Sequence, residues 1–243
     1  MDLRGKLAIV TGAGSGVGQA VAWSLAREEM TVVAVGRSAK KLQETVERSP
    51  GLGPIHPCVL DVSDRSAVFA AVDEIQKRHG TPWLVVNNAG INIRDRAIDV
   101  VRPADWDAVV ATNLTGAFNV TQAILPAMIA ARDGVVIAIS SIAGLRPLPL
   151  AGAAYAASKY GLNGYIGTLA REAAPYGVRA SIICPGEVAT PILEQRPKPV
   201  SQEERDAMLQ PQDVADAVLF IARLPKRAHV AEIVLKPLVQ DYG

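Results

Sequence analysis

The sequence predicts a doubly wound α/β fold, and three observations carry that prediction. Short apolar runs recur along the 243 residues and alternate with stretches of helical pattern, the alternation from which parallel sheets flanked by helices are built. Several runs are nearly continuous in Val, Ile and Ala, as strands are when helices cover both of their faces. The first run passes directly into a glycine-rich turn and then into a helix, the order that a dinucleotide site requires at the start of such a sheet.

Taken in order, the strands are assigned to residues 7–10, 31–35, 55–60, 83–87, 134–140, 178–184 and 232–235, and the helices to 18–29, 40–48, 65–79, 104–131, 153–176 and 211–223. Leu7-Ala8-Ile9-Val10 makes the first strand, and Thr11-Gly12-Ala13-Gly14-Ser15-Gly16-Val17-Gly18 makes the turn after it. Glycines there permit positive φ and a close approach of backbone to a pyrophosphate, while the free N–H groups opening the next helix face the anion. In the helix at 104–131, Pro126 predicts a kink or break, because proline lacks the N–H donor and crowds the preceding turn. Pro185, Pro191, Pro197 and Pro199 interrupt any long element before Pro211, so about 186–210 is expected to be a loop that covers a site. The length suits one domain over 1–243 better than two small ones, with no internal repeat or low-complexity tail.

A second pattern carries chemistry. Tyr155 and Lys159 stand four apart in AAYAASKYG, so on a helix they share a face, one turn from each other. A phenol titrates at about pH 10; a fixed cation beside it favours the phenolate and brings it toward proton exchange in neutral water.

Composition excludes several function classes. The net charge of +1 comes from 25 basic and 24 acidic side chains that interleave without a long block of one sign, so neither a nucleic-acid nor a membrane surface is expected. Cys58 and Cys184 each fall in an apolar strand and are expected as buried thiols, not a disulfide. His56, His79 and His229 are scattered, and no metal site is expected. The N-terminus lacks the plan of a secretory signal and no apolar run approaches membrane-spanning length, which leaves the cytoplasm as the expected compartment.

Further segments extend the two patterns along nearly the whole chain: TGAGSGVG at 11–18, Asp61-Val62 after the third strand, NNAG at 87–90, Asn113 within ATNLTG, Ser140-Ser141-Ile142-Ala143-Gly144 after the fifth strand, YAASK at 155–159 and PGEVAT at 185–190. In these it resembles the short-chain dehydrogenase/reductase family. The resemblance implies a Rossmann-type sheet of about seven strands flanked by helices. It also implies a catalytic group of Asn113, Ser141, Tyr155 and Lys159. Tyr155 would exchange a proton with the substrate oxygen while hydride passes between nicotinamide and carbon. Ser141 would hydrogen-bond that oxygen, Lys159 would hold the nicotinamide ribose and lower the phenol pKa, and Asn113 would place a water behind Lys159.

For the cofactor, the resemblance implies contacts from the glycine turn (Gly12, Gly14, Ser15, Gly16, Val17, Gly18) and from Asn88, Ala89 and Gly90 on the adenosine side. Asp61 would bond the adenine amino group and Val62 would supply a backbone contact or wall, while Pro185, Gly186, Val188 and Thr190 would cover the nicotinamide. After the second strand an acidic residue would bond both ribose hydroxyls. This chain has Gly36, Arg37 and Ser38 instead, leaving room and a planar cation for a 2′-phosphate, so NADP is expected over NAD. The alternatives are an NAD-dependent enzyme of the same family and a nucleotide-binding sensor or structural subunit without turnover.

The chain departs from the family pattern at three places. Ser141 and Tyr155 are separated by one residue more than is usual, Glu187 stands where an apolar or aromatic residue is common, and the last strand runs EIVLKPLVQ without a double glycine. The last of these resembles enzymes of hydroxy acids and small alcohols more than the fatty-acid-synthesis reductases. Candidate substrates are a 3-oxoacyl thioester, a small 3-hydroxy acid, a steroid-like ring or a sugar-derived ketone. Arg94, Arg96 and Arg146 are expected as solvated surface arginines, although any one could reach a substrate carboxylate. A homo-oligomer, a tetramer or dimer built through the long helices, is implied by the same resemblance.

Overall fold

The computed structural model describes residues 1–240; residues 241–243 of the expected domain lie outside the described residues. Seven strands, β1 (Leu7–Thr11), β2 (Thr31–Gly36), β3 (Ile55–Val59), β4 (Leu84–Asn87), β5 (Gly134–Ile139), β6 (Val178–Pro185) and β7 (Glu232–Leu235), form one sheet in the order β3-β2-β1-β4-β5-β6-β7. All neighbouring pairs are parallel. The order reverses between β1 and β4, so the loops leaving their carboxyl ends diverge and open a crevice. The doubly wound fold is thus as the sequence predicts.

The helices are α1 (Gly16–Arg27), α2 (Ala39–Glu47), α3 (Arg65–His79), α4 (Pro103–Val110), α5 (Gly116–Ala131), α6 (Ala153–Ala173), α7 (Gln202–Ala207) and α8 (Pro211–Arg223). One face of the sheet sends Ala8, Val10 and Val86 into a core with Val21 and Leu25 of α1 and Val218 of α8. The other sends Leu7, Ile9 and Val85 against Val72 of α3, Ile124 of α5 and Leu162 of α6. Burial on both faces is why the central strands read as continuous apolar runs. The edge strand β3 tolerates Pro57, since one side of its ladder is unpaired. For the same reason Cys58 is only half-buried, a correction to the expectation of two buried thiols, while Cys184 is buried.

The expected helix 104–131 is corrected as well. Its irregularity lies at a π turn, Ala111–Thr115, between α4 and α5, while α5 runs through Pro126 unbroken. Pro126 and Gln122, the residue whose carbonyl the proline leaves without a donor, are both exposed, so water can satisfy that carbonyl. The π turn turns Asn113 fully inward. By length and composition Pro103–Ala131 could cross a membrane, which corrects the expectation that no run approached that length. Here Val120, Ile124 and Met128 pack it into the core.

The 186–210 segment is less irregular than its prolines suggest. It carries a 3-10 turn at Pro191–Gln195 and α7, which Ser201 and Glu204 close with a capping box. A bridge between Val188 and Leu209 ties its two ends together.

Candidate active site

The glycine turn after β1 is held open by hydrogen bonds across the crevice. The buried Thr11 hydroxyl accepts from the backbone N–H of Asn88 (2.9 Å) and of Ala89 (3.0 Å). The Asn88 amide donates back to the Thr11 carbonyl at 2.9 Å. Gly12 adopts φ of 66°, and a Cβ there would lie 2.8 Å from the Asn88 amide nitrogen, while one on Gly18 would lie 2.4 Å from the Gly12 carbonyl oxygen. A side chain at either position would clash with Asn88 or with the turn itself, so the glycines let the turn pack tightly against the loop after β4. Ser15 precedes α1 without a side-chain cap bond, so the first N–H groups of α1 are left for an anion. A dinucleotide pyrophosphate fits this arrangement.

The cradle continues into a cleft of about 610 Å³. Of the expected cofactor residues, Gly12, Ser15, Gly16, Val17, Asn88 and Gly90 line it, as do Pro185, Gly186, Val188 and Thr190. Ser141, Tyr155 and Lys159 line it too. Gly14, Gly18, Ala89, Val62 and Asn113 are not among the residues that line it. Ser38 caps α2, its hydroxyl accepting from the Lys41 N–H at 3.3 Å. Arg37 is exposed beside Asp61. Burial pushes the Asp61 carboxyl up, but bonds from the Ser63 hydroxyl and N–H, with the charge of Arg37, outweigh it and hold it below the usual range.

Ser141, Tyr155 and Lys159 meet because the strand β5 ends at a 3-10 turn, Ile142–Gly144, packed against α6. A Cβ on Gly144 would lie 2.9 Å from the Lys159 carbonyl carbon. The Ser141 hydroxyl accepts from the Ala143 N–H at 3.1 Å and lies close enough to the Tyr155 phenol to favour its ionised form. Lys159, 3% exposed, donates to the Ile139 carbonyl at 2.9 Å. Its Nζ lies 5.5 Å from the Tyr155 ring centre, so the two side chains share a face as the spacing predicts.

Their acidities differ from the sequence expectation. Burial pushes the Tyr155 hydroxyl up to about 12, opposed by the Ser141 hydroxyl and the Arg96 charge. Burial drops the Lys159 ammonium to about 8. Lys159 is not among the groups that lower the phenol, since the dominant effect on both is loss of water.

Asn113 is fully buried, and its side chain accepts from the Ile91 N–H (2.8 Å) and donates to the Ile91 carbonyl (3.0 Å) and the Ser158 hydroxyl (3.1 Å). Ser158 donates in turn to the Tyr155 carbonyl at 2.7 Å. Asn113 thus links the loop after β4 to the helix that carries Tyr155. It also shares the space over Gly90 with Lys159: a Cβ on Gly90 would stand 3.5 Å from Asn113 Oδ1 and 3.7 Å from Lys159 Nζ.

One buried residue next to the site, Ser158, escapes the sequence reading, as does the burial of a second, Arg96. Ser158 sits inside the YAASK segment, where only the tyrosine and lysine drew notice. Arg96, expected as a surface arginine, is 8% exposed and lines the cleft, a correction that follows from loop 145–152 closing over it. Arg94 and Arg146 are exposed as expected. Glu187 is paired with Arg196 of the covering segment, so its charge does not stand alone in the cleft.

A family model described as short chain dehydrogenase matches residues 6–201. The 3-oxoacyl-acyl-carrier-protein reductase FabG of Thermotoga maritima is 37% identical over 228 residues, covering 91% of this chain and 92% of that protein. Among solved structures, a metagenomic short-chain oxidoreductase in complex with NADP is 33% identical with a TM-score of 0.83, over 99% of this chain and 100% of that one. The 3-ketoacyl-acyl-carrier-protein reductase of Brucella melitensis complexed with NADH is 27% identical with a TM-score of 0.87, over 97% and 98%.

Proposed function

The chain belongs to the short-chain dehydrogenase family, and from that premise we propose an NADP-preferring oxidoreductase that interconverts a ketone and a secondary alcohol. As a member it is an oxidoreductase acting on CH–OH groups with a nicotinamide cofactor. The observation that carries the reading is the convergence of Ser141, Tyr155 and Lys159 on the cleft that the glycine turn opens.

A bound nicotinamide would supply or accept the hydride. Tyr155, its hydroxyl held up at about 12, is protonated at neutral pH and gives its proton to the carbonyl oxygen during reduction. Ser141 holds that oxygen where negative charge develops. Lys159 binds the ribose hydroxyls, and Asn113, sharing the space over Gly90, holds a water that links Lys159 to solvent. The turn residues 12–18 cradle the pyrophosphate, Asn88, Ala89, Gly90, Asp61 and Val62 serve the adenosine side, and Pro185, Gly186, Val188 and Thr190 cover the nicotinamide.

Preference for NADP rests on exposed Arg37, with Ser38 next to it and Gly36 leaving room. NAD is the second reading, favoured by one observation: the Asp61 carboxylate already faces Arg37 and offsets part of its charge. The same reading takes 1–243 as one domain, 186–210 as its substrate loop, a homo-oligomer as its assembly and the cytoplasm as its compartment.

Tyr155→Phe tests the catalytic assignment. The variant is expected to lose NADPH-dependent carbonyl reduction while still binding NADPH; turnover equal to the parent removes Tyr155 from the chemistry.

A further inference from the structure

Resting on that functional reading, we propose that the substrate is a short oxo acid, reduced to the hydroxy acid, and that Arg96 binds its carboxylate beside Tyr155. The carbonyl carbon gains hydride from the reduced nicotinamide and the carbonyl oxygen gains the Tyr155 proton, which solvent replaces; the carboxylate is unchanged.

Arg96 is a charged group built into the cleft and left without a counter-charge. It is 8% exposed. Its Nη1 donates to the Leu150 carbonyl at 3.2 Å and its Nη2 to the Gln195 carbonyl, while its Nε is buried with no partner. Only two of about five guanidinium donors are therefore engaged. Among the described residues Arg96 forms no ion pair, and Glu187, a carboxylate of the same cleft, is already paired with Arg196. A guanidinium withdrawn from water and bonded only to neutral carbonyls is costly; an incoming carboxylate relieves that cost and matches the planar fork.

The charge balance of the cleft points the same way. Lys41, Arg96, Lys159 and Arg196 line it against Glu187 and Glu194, and Glu194 is exposed at its margin. The local surplus is cationic although the whole chain is nearly neutral. The Arg96 charge also reaches the Tyr155 hydroxyl, which puts a bound carboxylate near the reacting carbonyl.

The position of Arg96 is enforced by the backbone. Gly152 adopts φ of 80°, and a Cβ there would lie 2.7 Å from Arg96 Cβ and 2.9 Å from the Arg96 carbonyl oxygen. The loop between Ser141 and Tyr155, longer by one residue than is usual in the family, is the segment that closes over the arginine through Leu150 and Gly152.

The experiment compares acetoacetate and 2-oxobutyrate with their methyl esters, which keep the ketone and remove the charge, by NADPH oxidation. The parent is expected to favour the acids in kcat/KM by about 10- to 100-fold. Arg96→Met is expected to bring the acid-to-ester ratio near one, and Arg96→Lys to recover part of it. A parent that reduces the esters as well as the acids overturns the carboxylate inference and leaves the oxidoreductase reading standing. Turnover of none of the four compounds overturns this inference as well, while the oxidoreductase reading falls only if larger ketones and alcohols are also inert with NADPH and NADP. The parent ratio alone decides should Arg96→Met fail to fold.

Discussion

Lys159 Nζ lies 5.5 Å from the centre of the Tyr155 ring, yet its hydrogen bond goes to the Ile139 carbonyl at 2.9 Å. The pair shares a face without sharing a hydrogen bond. Each group is governed by its own loss of water, which pushes the phenol up to about 12 and the ammonium down to about 8. At neutral pH the protein therefore presents a protonated acid next to a cation that gives up its proton more readily than usual.

That protonation state sets the direction of pH dependence. Reduction needs the neutral phenol and is expected to stay flat in kcat from pH 6 to about pH 7 and to change only as Lys159 loses its charge around pH 8. Oxidation of the alcohol needs the phenolate and is expected to climb steadily on the alkaline side. Initial rates in both directions across pH 6–10 check this; a reduction rate that falls steeply between pH 6 and 7 places the acid elsewhere.

Lys159→Met is expected to change stability with a definite sign. Folded Lys159 binds its proton less tightly than the unfolded chain does, so between about pH 8 and 10.5 the unfolded state holds more protons and parent stability rises with pH. The penalty is complete below that window and gone above it. From 10.5 to about 8, at about 1.4 kcal/mol per unit, it is on the order of 3 kcal/mol. The variant lacks this dependence, so it gains relative to the parent at pH 7 and the gain shrinks by pH 10. Urea denaturation at the two pH values reads the difference; a gap that widens with pH reverses the assignment.

Much of this was legible because it depends on neighbours in sequence. The βα alternation, the glycine turn and the Tyr155–Lys159 spacing are local patterns, and the strands they predict match to within a residue or two at each end. What escaped depends on distant contacts. Arg96 is buried by carbonyls at 150 and 195, far along the chain, and nothing near position 96 announces them. The π turn at Ala111–Thr115 accompanies the inward turn of Asn113 toward Ile91, whereas the sequence signal for irregularity was Pro126. The raised phenol reflects desolvation by the whole site, which an i,i+4 spacing does not convey. Cys58 is half-buried because β3 is an edge strand, a matter of sheet order.

Arg37→Asp should invert cofactor choice. Arg37 is exposed, so its hold on a 2′-phosphate is screened by salt, and its loss is expected to raise the KM for NADP about tenfold or more at low ionic strength. The effect should shrink in 0.5 M salt. Because Asp61 lies within reach of this side chain, a new carboxylate at 37 also meets a like charge, and Arg37→Ala separates loss of the cation from that repulsion. Steady-state kinetics with NADP and NAD distinguish the cases; an unchanged KM for NADP in both variants removes Arg37 from phosphate recognition.

Asn113→Ala is expected to cost stability as well as rate. The change deletes two hydrogen bonds to the Ile91 backbone and one to the Ser158 hydroxyl, at a position with no exposure. Groups left unpaired inside a protein cost about 1–3 kcal/mol each, and partial access of water to Ile91, which is not fully buried, brings the expected loss to about 3 kcal/mol. Ser158→Ala removes one of these bonds together with the bond to the Tyr155 carbonyl, for about 1–2 kcal/mol. Both single variants break the Asn113–Ser158 bond, so the double variant should lose less stability than the sum of the singles, and Ser158→Ala, which also loses the bond to Tyr155, should lower kcat more than Asn113→Ala. Thermal and urea denaturation of the three proteins measure that coupling; strictly additive losses mean that the loop after β4 and the helix bearing Tyr155 are held by independent contacts.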